Sequence, residues 1–205
     1  MIRKISDLIL NNLSVNSKID PNHREIYAYA LENFISGVIT LIVFSLVAIA
    51  LKLPDKMIIF VIFYAPIRKF AGGYHANTRG GCLLLSLFST LSLIYLSIWI
   101  SKSAMWFIGV IVCLLFSIIL IFALAPKDHP NRRISLEKKY LNRQISRYII
   151  VAECSLVIFG ILFFHQWKEY ILIASMALLL EGAVLIPNKF NTEDTKHEKS
   201  KVISN

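Results

Sequence analysis

His75 and Cys82, seven positions apart, are the residues of this chain whose types and spacing suggest chemistry. A thiol attacks as its thiolate, which at an ordinary pKa of about 8.5 is only a few per cent of the population near neutral pH, so a neighbouring base must take the proton. Seven residues of continuous helix rise about 10.5 Å, far beyond the roughly 3 Å over which a proton passes. The backbone must therefore turn between the two, and Gly80-Gly81 is the expected place. Cys82 would then open the next helix, where free N–H groups and the helix dipole favour a thiolate and a developing oxyanion. The plain alternative is a small buried hydrophobe and a solvated histidine. Cys113 and Cys154 fall within apolar runs and read as packing residues. Three cysteines do not make a disulfide framework, and His75 with Cys82 gives too few ligands for zinc. No metal or organic cofactor is expected, because the thiol, the imidazole and backbone N–H groups suffice for acyl transfer.

The segment that carries the pair, Arg68-Lys69-Phe70-Ala71-Gly72-Gly73-Tyr74-His75-Ala76-Asn77-Thr78-Arg79-Gly80-Gly81-Cys82, holds four of the chain's eight glycines. It reads as neither helix nor strand, and it lies between apolar runs. Over 205 residues the chain is 56% hydrophobic and 17% charged with a mean hydropathy of +0.62, too apolar for an ordinary soluble domain. Residues 34–51, 82–100, 104–125, 148–164 and 170–186 each approach the roughly 17 to 25 residues that cross a bilayer. Residues 57–67 would rise only about 16 Å as a helix, against a hydrocarbon layer about 30 Å thick. If that short segment crosses and the N-terminus is cytoplasmic, all 22 Lys and Arg residues except Lys52, Lys56, Lys102 and Lys168 lie inside. If it turns back, the basic loop 126–147 would face outward, against the charge rule. The expectation is thus an all-α, polytopic membrane bundle of about six segments, the second short, with both termini cytoplasmic. The loop after the short segment is expected to begin below the membrane surface, in a polar pocket open to the cytosol. Residues 1–205 form one integral membrane domain: a cytoplasmic or interfacial region 1–33, a bundle 34–187 and a cytoplasmic tail 188–205. Ile2, Ile5, Leu8, Ile9 and Leu13 recur at helical spacing, predicting an amphipathic interfacial helix, and residues 1–15 lack the apolar core of a secretion signal.

Arg68, then Gly72-Gly73-Tyr74-His75-Ala76, then Cys82 seven positions past the histidine, resembles the motif of the accessory gene regulator B (AgrB) membrane peptidases. Ala125-Pro126-Lys127-Asp128-His129-Pro130-Asn131-Arg132-Arg133 is similar to that family's Ala-Pro-containing cytoplasmic loop, and size and hydropathy agree along nearly the whole chain. The resemblance implies a cysteine endopeptidase of a bacterial cytoplasmic membrane that processes autoinducer precursors in quorum sensing. Cys82 would hold the N-terminal fragment of the precursor as a thioester, with His75 as general base. A cysteine or serine of the fragment would then close a thiolactone or lactone. The resemblance also implies a homodimer, and a precursor with an amphipathic leader and an acidic tail.

Lys127, Arg132 and Arg133, with Lys138 and Lys139, could dock that acidic tail, although positive charge also serves simply to keep a loop inside. Arg68 could hold a substrate carboxylate or steady the loop by hydrogen bonds, against a plain role of snorkelling to the interface. Glu153 and Glu181 lie inside apolar runs, where an ionisable group usually has a partner, and either could orient His75 or pair with Arg68. Asn77 could orient the histidine, and no third catalytic member is assigned. A transporter or a peptide-binding scaffold would also explain the spans and intramembrane glutamates, and neither needs the thiol. Nucleic acid is not an expected partner, because the net charge of +9 follows membrane topology and no nucleic-acid motif accompanies it.

Overall fold

The computed structural model describes residues 24–73, 78–126 and 136–186. Six α-helices run through them: α1 (Arg24–Ala50), α2 (Pro54–Ala71), α3 (Arg79–Ser101), α4 (Trp106–Leu124), α5 (Leu136–Phe163) and α6 (Lys168–Val184), with a 3-10 turn His165–Trp167 before α6. No strand occurs among the described residues, so the fold is an all-α bundle. The chain divides into two units, one of Met1–Met57 with Ala76–Ser89 and the other of Ile58–His75 with Thr90–Asn205. The interfacial helix expected over the first residues and the tail 188–205 lie outside the described residues.

In the first unit, α1 ends in a left-handed turn. Lys52 has φ 58°, its N–H reaches the Ile49 carbonyl at 3.1 Å, and the Leu53 N–H reaches the Ala48 carbonyl at 2.8 Å. This paired closure satisfies carbonyls that the helix end leaves without partners. Pro54 then opens α2, where its missing N–H costs no helical bond. The same unit holds the first turns of α3. Thr78 caps them, its Oγ1 accepting from the Gly81 N–H at 3.1 Å and its carbonyl accepting from the Cys82 N–H at 3.0 Å.

The second unit has a core built from α2, α4, α5 and α6. Ile67 and Ala71, Val110, Leu114 and Ile121, Ile150 and Val157, and Leu172 and Leu178 are buried together. Helix α6 is buried at every position from Ile171 to Leu178, as expected of a helix apolar all round and enclosed by protein. Gly182 permits the close approach of α4: a Cβ there would lie 3.1 Å from Leu120 Cβ and 3.6 Å from Ser117 Cα. On α4, by contrast, Ile108, Val112, Leu115 and Ile119 are exposed. Such an apolar face is untenable in water and fits lipid. Hydroxyls in these helices bond back to their own backbone, as Ser97 does to Leu93 O at 2.7 Å and Ser117 to Cys113 O at 2.6 Å.

Four helical stretches are long and apolar enough to cross a bilayer: Ala30–Ala50, Gly80–Ser101, Trp106–Leu124 and Glu137–Phe163. This is a membrane protein. The run 170–186 is also helical, as the 17 residues of α6. The element ends differ from the apolar runs in several places. Helix α1 begins at Arg24, ten residues before its run. Helix α5 begins at Leu136, so the expected loop 126–147 is helical in its second half, with Glu137 in the first turn where the dipole favours it. Helix α2 has 18 residues, about 27 Å, because Asp55 suits its start and Arg68 and Lys69 suit its last turn. That length nearly matches the hydrocarbon layer, so the apolar run's shortness does not by itself require a recessed loop.

Candidate functional site

Of the three cysteines, Cys113 and Cys154 are buried and Cys82 is partly exposed, all with free thiols. Cys113 Sγ lies against Met176 Sδ at 3.7 Å, an ordinary core contact. Cys82 is the fourth residue of α3. The helix therefore starts three residues earlier than expected, and Gly80 and Gly81 belong to its first turn instead of forming the fold-back. Thr78 is the reason, because its side chain replaces the missing acceptor for Gly81. Of the four N–H groups that a helix start leaves open, that of Gly81 is thus taken by the cap, while the Cys82 N–H makes the first intrahelical bond.

His75, Tyr74, Ala76 and Asn77 lie outside the described residues, as do Lys127, Arg132 and Arg133. What is described is how the chain approaches His75. Helix α2 stops at Ala71, and Gly72 and Gly73 follow with φ of 74° and 131°, values that disfavour any side chain. Helix α3 starts at Arg79, after His75, so the spacing of about 10.5 Å that one continuous helix would impose on His75 and Cys82 does not apply.

Arg68, in the last turn of α2, donates from Nη1 to the Gly72 carbonyl at 3.0 Å, while the Gly72 N–H donates to the Arg68 carbonyl at 3.3 Å. The same Nη1 is 3.9 Å from Glu181 Oε1 on α6. A Cβ on Gly73 would overlap Arg68 Nη1 and stand 3.0 Å from Val184 Cγ1. Of the two intramembrane glutamates, Glu181 is the one that pairs with Arg68. Glu153 is buried on α5, within range of the Glu181 charge.

Lys138 and Lys139, the described members of the expected docking surface, are in the opening turns of α5. Lys139, with Arg143, Tyr140, Leu124 and Pro126, lines a cavity of about 380 Å³ where α4 ends. The Arg147 guanidinium holds that end of α4, donating to the Phe122 carbonyl at 3.2 Å and lying 5.0 Å from the Phe122 ring centre. Sequence reasoning had no signal for the Thr78 cap beyond a Thr before a helix; for Arg68 it offered steadying the loop by hydrogen bonds beside holding a substrate carboxylate, and the described bond is one to the Gly72 carbonyl.

The geometry separates two glycines that look alike in sequence. Gly80→Ala meets open space on a helix and should leave any activity of the protein and its membrane level unchanged. Gly73→Ala should abolish most activity at comparable membrane level, because it strains the turn and displaces Arg68. Equal activity of the two variants in one assay would refute this.

Comparison with known proteins points the same way along most of the chain. The accessory gene regulator B family model matches residues 3–185. An AgrB-like protein 2 of Clostridium perfringens (strain 13 / Type A) is 28% identical over 144 residues, covering 68% of this chain and 67% of its own. An AgrB-like protein of Clostridium perfringens (strain SM101 / Type A) is 27% identical over the same shares. No solved structure matches significantly. The chain belongs to the accessory gene regulator B family, as a membrane protein of accessory gene regulator autoinducer processing.

Proposed function

We propose that this protein is a cysteine endopeptidase that cuts an autoinducer precursor and cyclises the retained fragment. The observation that carries the reading is that Cys82 is the accessible thiol of the three, near the positive end of a helix. His75 accepts the Cys82 proton as sulfur attacks the scissile carbonyl, and returns it to the departing amine when the C–N bond breaks. The N-terminal fragment remains as a thioester on Cys82. A cysteine or serine side chain of that fragment then attacks the thioester carbonyl, forming a thiolactone or lactone and restoring the Cys82 thiol. Ring closure outruns hydrolysis when the site excludes water and holds the internal nucleophile near the carbonyl.

The substrate of this reading is a peptide with an amphipathic leader, held at the bilayer, and an acidic tail. Lys127, Arg132 and Arg133, with Lys138 and Lys139, receive the tail. Six crossings place both termini and the Cys82 end of α3 on the cytosolic side, and the working form is a homodimer.

Co-expression of the cognate precursor with wild type, Cys82→Ala and His75→Ala, at matched membrane levels, tests the reading. Cleavage should fall by at least about 10³-fold in both variants. Cleavage that survives in Cys82→Ala sinks the peptidase and leaves a transporter or peptide-binding protein. In the same assay, charge reversal at Lys127, Arg132 and Arg133 should raise KM with kcat little changed. Unaltered KM with intact topology would remove the docking surface.

A further inference from the structure

Glu181 is fully buried on α6, and neither of its carboxylate oxygens has a hydrogen-bond partner among the described residues. A buried carboxylate costs several kcal/mol unless a charge or donors compensate it. Its compensation here is the Arg68 guanidinium at 3.9 Å, an ion-pair distance beyond hydrogen-bond length, on a side chain only 19% exposed. The hydrogen bond of the same nitrogen goes to the Gly72 carbonyl, and the Gly72 N–H returns to the Arg68 carbonyl. Both polar backbone groups of Gly72 are thus tied to one residue. The guanidinium fills the space where a Gly73 side chain would stand. Arg68 is therefore the inner support of the turn, and Glu181, from a different helix, holds the support in place.

We infer that Glu181 is a positioning residue for catalysis: through Arg68 it sets the Gly72-Gly73 turn and so the direction in which the segment bearing His75 leaves α2. This rests on the peptidase reading above. It does not make Glu181 a group that touches substrate. A carboxylate on α6 pulls the guanidinium toward the core, and the guanidinium carries the Gly72 carbonyl with it. Without that pull, Arg68 is drawn by hydration toward the interface, and the turn loses its only described side-chain donor. Misplacing a general base by about 1 Å costs on the order of 10²-fold in rate. Binding of the precursor would be unaffected, because neither side chain is asked to contact it.

The test compares precursor cleavage by wild type, Glu181→Gln, Glu181→Asp, Arg68→Gln and the Arg68→Gln/Glu181→Gln pair in purified, lipid-reconstituted protein. Glu181→Gln should lower kcat by about 10- to 100-fold with KM within about twofold. Glu181→Asp, which keeps the charge, should recover most of the loss. The double variant should be no slower than Arg68→Gln, since both changes cut one link. Wild-type kcat in Glu181→Gln, a KM rise in place of a kcat loss, or multiplying losses in the double variant would overturn the inference. If Glu181→Gln does not accumulate, Arg68→Gln decides alone: a kcat loss at constant KM supports the link, and a KM rise assigns Arg68 to substrate instead and overturns it. Cleavage by Cys82→Ala would refute the peptidase itself, whereas loss in Cys82→Ala with normal Glu181→Gln refutes only the role of Glu181.

Discussion

A polar group that leaves water for hydrocarbon must find its partner within the chain, and this requirement accounts for most of what the described residues do. It makes the backbone helical wherever it is apolar. It sends the hydroxyls of Ser97 and Ser117 back to their own helices, and it closes the end of α1 through the left-handed Lys52. Where the helices stop near the motif, side chains take over. Thr78 satisfies the start of α3, and Arg68 satisfies the turn after α2. Arg68 then brings a charge into the bundle, and Glu181 meets it. The segment between these two anchors is short, and it carries the histidine of the proposed mechanism.

The same constraint sorts the cysteines. Cys113 and Cys154 are buried as packing residues, Cys154 in the apolar core and Cys113 against Met176. Cys82 sits in the first turns of a helix, near its positive end, and is partly exposed. A transferase-like outcome, in which the acyl group is passed to the peptide's own side chain, asks little more of the protein than this placement, a base and the exclusion of water.

Much of this was legible in the sequence because lipid imposes so blunt a pattern. The five long apolar runs are all helical, and the motif from Arg68 to Cys82 identified the family that the family model then matched. Helix ends were not legible, since charge at Arg68 and Lys69 or at Glu137 and Lys138 marks the end of an apolar run without ending a helix. Nor could periodicity separate the enclosed α6 from helices with a lipid-facing side, because both are apolar all round. The glycine pairs were ambiguous for a related reason. Gly72-Gly73 and Gly80-Gly81 are the same dipeptide, yet the second is helical behind the cap at Thr78 and the first takes positive φ angles in the turn that Arg68 closes. Glu153 and Glu181 were both visible as ionisable residues in apolar runs that could pair with Arg68, but the choice of Glu181 joins residues more than a hundred positions apart, and no local pattern makes that choice.

The central claim is a covalent thioester on Cys82. Purified protein would be incubated with a precursor whose ring-forming side chain is replaced by alanine, so that the acyl group has no internal acceptor, and its mass would then be measured. The account predicts a gain equal to the N-terminal fragment less one water, mapped to the peptide that contains Cys82 and removed by hydroxylamine. Cleavage of that precursor with no adduct at Cys82, or with the adduct on another residue, would contradict it.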